Sequence, residues 1–119
     1  IIGASGVGEQ PIPAFSVLVH RRLGLGDSGI PALDVNATCL SFLPALRLAA
    51  DMIAAGRWGR VMIVSGDVAS AALDTNAPET APLFGDGAAA AMNLARVQER
   101  FKQGHVPVLG LEDQMVMTS

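Results

Sequence analysis

Three features of the sequence predict an α/β fold. Short apolar runs that suit buried strands recur at residues 1–4, 32–35 and 60–66. Between them lie residues 14–23 and the stretch after Cys39, whose apolar side chains return at three- and four-residue intervals, as on one helix face. The second of these segments reaches the run at 60–66 after only a short link, as expected of a parallel α/β unit. Half of the 119 residues are hydrophobic, enough for one sizeable core, so one globular unit is expected rather than two.

The run at 1–4 closes on the glycine-rich 5–8, which suits a buried strand ending in a turn. Gly3, Gly6 and Gly8 do not follow the order of a dinucleotide fingerprint, and Pro11 and Pro13 keep a helix from starting at the turn. The serine-hydrolase elbow fails too, because Val7 stands where its last glycine should be. Pro13 suits a first helical position, Phe15, Leu18, Val19 and Leu23 share one face, and Gly24 supplies a stop, which predicts a helix over 14–23. His20, beside Arg21 and Arg22 at its solvated end, reads as a surface histidine.

Turn formers fill 25–30, and Pro31 leads a brief strand, a position that proline tolerates at a strand start or on a sheet edge. After Cys39, the residues Phe42, Leu43, Leu46, Ala49, Ala50 and Ile53 predict one apolar helix face, with Arg47, Asp51 and Arg57 at its polar margin. Pro44 falls where a missing donor costs little, and Gly56 closes the helix. Trp58 is expected to seal the corner before the β-branched strand at 60–66. Residues 67–82 read as a long loop, and 84–87 as a tight turn. The alanine run behind that turn is helical by propensity. Residues 96–103 read as charged and exposed, His105 as a loop residue, and 106–111 as a last strand.

A formal charge of −3 and only five aromatic residues, not interleaved with the basic pairs, argue against nucleic-acid binding. Arg47, Asp51 and Arg57 interrupt the apolar tracts well short of the roughly 18 residues of a membrane helix, and no cleavable leader opens the chain, so a cytoplasmic protein is expected. A single cysteine makes no internal disulfide and, without further ligands, no structural zinc site. The start at Ile1, inside an apparent strand, suggests an excerpt of a longer protein.

Cys39 lies where a short strand meets an amphipathic helix. The first N–H groups of a helix lack intrahelical partners, and with the macrodipole they favour a thiolate and can hold an oxyanion at the attacked carbonyl. The alternative is packing, since a free cysteine commonly serves as a small buried hydrophobe.

The segments DVNATCLSF at 34–42, RVMIVSGD at 60–67 and LFGDGAAAA at 83–91, in this order and spacing, resemble the N-terminal half of the ketoacyl-ACP synthase III group of the thiolase-like superfamily. The resemblance runs from Ile1 to about Leu94 and is weaker beyond. It implies part of a thiolase-like α/β fold: a mixed five-stranded sheet in the order 3-2-1-4-5, with helices on both faces. Residues 1–4, 32–35, 60–66 and 88–94 would be the second, third, fourth and fifth strands, so the alanine run becomes a strand. The first strand is absent, and with that order an unfilled lane should separate residues 1–4 from 60–66. The chain is then one partial domain, 1–119, without the second half that carries the family's histidine and asparagine. Neither His20 nor Asn36 occupies their positions.

By the same resemblance Cys39 is the catalytic nucleophile and its backbone N–H an oxyanion donor. An acyl group from acyl-CoA would be held on Cys39 and condensed with a malonyl thioester on acyl carrier protein. Both are substrates, and no cofactor or metal is implied. A homodimer is expected through the edge strand containing Ala32 and Val35. Thr38, Leu40 and Ser41 depart from the small residues common around the family's cysteine, and a bulkier neighbour would alter the acyl tunnel. Two alternatives stand beside condensation: acyl transfer to an ester or amide without decarboxylation, and a non-catalytic module with a packing cysteine.

Overall fold

The computed structural model describes residues 1–74 and 76–94. Its elements follow in the order β1 (Ile2–Gly3), α1 (Phe15–Arg22), β2 (Leu33–Asp34), α2 (Phe42–Ala54), β3 (Arg60–Asp67) and β4 (Gly87–Leu94). Single turns of 3-10 helix at Ala69–Ala72 and Ala81–Leu83 interrupt the long loop between β3 and β4. Among the described residues no helix is long and apolar enough to cross a membrane. The expectations for residues 96–103, His105 and 106–111 lie outside the described residues.

The sheet is mixed and runs in the order β2-β1-β3-β4. β1 pairs in parallel with both β2 and β3, placing Ile2 opposite Leu33 on one side and Ile63 on the other. β4 runs antiparallel to β3 in a full register from Arg60 opposite Leu94 to Asp67 opposite Gly87. This corrects the expected order 3-2-1-4-5. No empty lane separates β1 from β3, and the hydrogen bond from Ala4 N–H to Val64 C=O, at 2.8 Å, continues that pairing beyond the strand. Once β1 and β3 satisfy each other's backbone groups, a further strand of this sheet can add only at an outer edge.

The eight-residue partner that β3 offers also explains why residues 88–94 are a strand despite their alanines. Alanine's helical preference is a local term of under 1 kcal/mol per residue, easily overridden by an uninterrupted ladder and by pairing across the sheet.

Strand alternation divides the packing between two faces. Ile2, Ala4, Val61 and Ile63 are buried with Ala45, Ala49 and Ile53 of α2, while Phe42, Leu46, Leu48 and Trp58 close around them, Trp58 as expected. Leu43 departs from the predicted face and is 60% exposed. On the opposite face the Phe15 ring of α1 lies over Gly66, where a Cβ would stand 2.8 Å from it, while a Cβ on Gly3 would collide with the Asp34 carboxylate and stand 3.1 Å from the same ring. Helices therefore cover both faces. The Arg47–Asp51 ion pair, 2.9 Å long, joins side chains 79% and 60% exposed and contributes little.

Both helices end as predicted. Gly24 and Gly56 take φ of 70° and 69°. Gly24 N–H bonds Arg21 C=O and Leu25 N–H bonds His20 C=O, and the same pair of bonds joins Gly56 to Ile53 and Arg57 to Met52. These are Schellman closures, in which the left-handed residue lets two orphan carbonyls find donors. The start of α1 differs from expectation: Pro13 precedes the helix, whose N-cap is Ala14. Ala14 has no side chain with which to cap, and the acceptors come instead from Asp34 on β2. Its Oδ2 accepts Phe15 N–H and its Oδ1 accepts Ser16 N–H, each at 2.8 Å.

Candidate active site

β2 delivers the chain into the turn that carries Cys39, and the turn's shape is fixed by side chains on both sides of the cysteine. Asn36 Oδ1 accepts Thr38 N–H at 2.9 Å. Thr38 itself has φ of 53°, a left-handed conformation in which a β-branched residue is strained, at a cost of order 1–3 kcal/mol. Its carbonyl accepts both the Ser41 hydroxyl, at 2.6 Å, and the Ser41 N–H, at 3.1 Å. Ser41 Oγ also accepts Ala37 N–H at 2.9 Å. Ala37 C=O in turn accepts the Thr38 hydroxyl at 2.7 Å and Leu40 N–H at 3.2 Å.

A second support reaches the turn from the far side. The loop after β1 is tied to the end of β3: Gly66 N–H donates to Ser5 Oγ at 2.9 Å, and Asp67 Oδ1 accepts both Gly6 N–H and Val7 N–H at 2.7 Å. Gly6 then lies so close to the cysteine turn that a Cβ on it would stand 3.0 Å from the Thr38 carbonyl carbon. The turn is thus clamped between α2, through Ser41, and the β1–β3 end of the sheet, through Gly6.

Cys39 is exposed on this support as a free thiol. It fills no part of the core of the described residues, which disposes of the packing role within them. It also lies outside the helix that was expected to begin around it. α2 starts at Phe42 with Ser41 as N-cap, and Cys39 belongs to the tight turn just before. The thiol therefore stands close to the helix start but on a separately braced loop. Leu40, the bulky neighbour, is 64% exposed.

His20 does not join Cys39. Its Nε2 sits 3.5 Å from Ser28 Oγ, near the end of α1. Asn36 is adjacent in sequence, but its side-chain oxygen is engaged in the turn. In the turn at 84–87, Asp86 accepts the Ser70 hydroxyl at 2.6 Å and Ser70 N–H at 2.8 Å, anchoring the β3–β4 loop to the start of β4. The bonds from Ser70 hold its carboxyl below the usual carboxylate range.

The residues that sequence reasoning missed are those that brace the backbone around Cys39. Asp34, Ser41 and the pair Ser5 and Asp67 all act through partners that periodicity does not reveal. Asp34 and Ser41 do stand within the segment around Cys39, and the only signal in the sequence was their nearness to it.

The family model of 3-oxoacyl-[acyl-carrier-protein (ACP)] synthase III matches residues 33–106. Beta-ketoacyl-[acyl-carrier-protein] synthase III of Acholeplasma laidlawii is 37% identical over 92 residues, which cover 77% of this chain and 30% of that protein. The enzyme of the same name from Neorickettsia sennetsu is 38% identical over 92 residues, covering 77% and 29%. Among solved structures, 3-oxoacyl-[acyl-carrier-protein] synthase III from Aquifex aeolicus superposes with a TM-score of 0.70 at 32% identity, over 76% of this chain and 29% of the other. The priming beta-ketosynthase of the R1128 polyketide pathway superposes with a TM-score of 0.68 at 28% identity, over 76% and 27%. The chain thus spans about three-tenths of the length of the curated relatives it matches. With the same thiolase-like α/β arrangement in these structures and the family match across the cysteine turn, the chain belongs to the 3-oxoacyl-[acyl-carrier-protein] synthase III family.

Proposed function

We propose that the protein carrying this chain is an acyl-thioester condensing enzyme and that Cys39 is its nucleophile. The observation that carries the reading is the exposed thiol on a strained turn held from two sides, at the place where the family match crosses the β2–α2 junction. The Cys39 thiolate attacks the carbonyl of an acyl-CoA, the tetrahedral oxyanion is held by the backbone N–H of Cys39, and CoA leaves as its thiol after taking up a proton. A malonyl group on acyl carrier protein then loses carbon dioxide, its enolate carbon attacks the acyl-cysteine, and the Cys39 thiolate is expelled. Residues 1–119 supply the nucleophile in this scheme; the histidine and asparagine that steady the enolate come from outside them.

The same proposal includes a homodimer, because β2 ends the sheet among the described residues and an open edge is a pairing template. It also places the protein in the cytoplasm, where a free catalytic thiol stays reduced.

The test is intact-mass and peptide analysis of the full-length protein incubated with acetyl-CoA. An acetyl adduct on Cys39, absent in Cys39→Ser, is the expected result; an adduct elsewhere, or one that survives in Cys39→Ser, removes Cys39 as nucleophile. Adding malonyl-ACP separates condensation from simple transfer to an ester or amide, because only condensation releases carbon dioxide.

A further inference from the structure

We infer that Ser41 is a positioning residue for Cys39. The inference rests on the reading of Cys39 as the acyl-accepting nucleophile, and it concerns how this chain aims that thiol.

A serine at a helix N-cap ordinarily has extended backbone angles and accepts an N–H from the second or third helical residue. Ser41 does neither. Its φ and ψ are −53° and −31°, already helical, and its hydroxyl makes no capping bond to α2. The side chain turns backwards instead. It accepts Ala37 N–H and donates to Thr38 C=O, so that it bonds the two residues immediately before Cys39 from a position two residues after it. At 2% exposure the hydroxyl is shielded from water, which would otherwise compete for both bonds.

The consequence falls on one dihedral. Thr38, at φ of 53°, sets the direction in which the chain enters Cys39. A threonine held left-handed relaxes to φ < 0 unless its neighbours prevent it. The Ser41 hydroxyl grips the Thr38 carbonyl on one side, Asn36 Oδ1 grips its N–H on the other, and Gly6 closes the space behind. Of these, Ser41 is the tie that links the strained residue to the rigid body of α2. Removing its hydroxyl leaves only the longer bond from Ser41 N–H to the Thr38 carbonyl, at 3.1 Å, and takes away the acceptor of Ala37 N–H, so the turn loosens and both the sulfur and the Cys39 N–H shift relative to the carbonyl under attack. Acyl transfer depends on that alignment; alkylation by a small reagent requires only an accessible thiolate.

The experiment uses the full-length protein with acetyl-CoA and follows acyl-enzyme formation by rapid-quench mass analysis. In Ser41→Ala and Ser41→Gly the maximal acylation rate should fall roughly ten- to a hundredfold, with half-saturation by acetyl-CoA changed less than about threefold. The rate of iodoacetamide alkylation at Cys39 should stay within about threefold of wild type, and Ser41→Thr, which keeps the hydroxyl, should recover most of the acylation rate. Wild-type acylation in the Ala and Gly variants overturns the inference while leaving Cys39 as nucleophile. Parallel loss of acylation and alkylation, or failure of both variants to fold, makes Ser41 a folding residue and overturns it equally. Acylation of the wild type at a residue other than Cys39 overturns the underlying reading, and the positioning role with it.

Discussion

Asp34→Ala should loosen α1 selectively. The helix has eight residues, too few to persist on local propensity, its N-cap makes no side-chain capping bond, and its first turn holds no acidic residue. Its first two N–H groups are satisfied by the two carboxylate oxygens of Asp34, which reaches across from β2. Loss of a side-chain cap costs about 1 kcal/mol, and loss of the negative charge at the positive end of the dipole adds about 0.3–1 kcal/mol. A total of about 1.3–2 kcal/mol corresponds to about a ten- to thirtyfold rise in the opening equilibrium of α1. Hydrogen–deuterium exchange of the full-length protein reads this directly. Peptides covering Phe15–Arg22 should exchange faster by that factor in Asp34→Ala, while those covering Phe42–Ala54 are unchanged. Asp34→Asn should lie between, since one amide oxygen replaces two carboxylate oxygens and the charge is gone. Unchanged exchange of α1 in Asp34→Ala would refute the reasoning that a residue outside the helix caps it.

Gly6→Ala should act on the turn that carries Cys39. Its new methyl would stand 3.0–3.2 Å from the backbone of Thr38, which cannot move aside as a flexible side chain can, so acylation of Cys39 should fall about tenfold or more; a wild-type rate would mean that the turn yields freely. Asp86 should make the loop after β3 sensitive to acid. Its carboxyl is held below the ordinary range by the hydrogen bonds from Ser70, so the tie is complete above the pKa of the unfolded chain and is lost as pH falls through the lowered folded value. Exchange at Ala69–Ala72, corrected for its intrinsic pH dependence, should therefore accelerate towards acid in wild type and not in Asp86→Asn; identical profiles would dismiss the tie.

The sequence by itself determined much of the local structure. The left-handed closures at Gly24 and Gly56 follow from glycine at the end of a periodic apolar segment, and both helices end there. The β-branched run that became β3 and the corner residue Trp58 are equally local, because each depends on its own side chain and its near neighbours. Cys39 could be singled out as the proposed nucleophile because it is the sole thiol and sits in the segment that carries the family resemblance.

Tertiary structure decided which strands are neighbours, where the turn carrying Cys39 ends and what braces it. Strand order is a choice among long-range partners whose edges offer the same N–H and C=O groups, so β1 carries no local sign that it pairs with β3. The same holds for Asp34, which caps a helix 19 residues earlier, and for Gly6, whose need to be glycine comes from Thr38. Ser41 shows the limit most sharply: a serine at a helix N-cap ordinarily accepts a bond from that helix, yet its hydroxyl serves the preceding turn. A hydroxyl can bond in either direction along the chain. Only the folded backbone, by setting Thr38 left-handed and bringing its carbonyl within 2.6 Å, determines which way it turns.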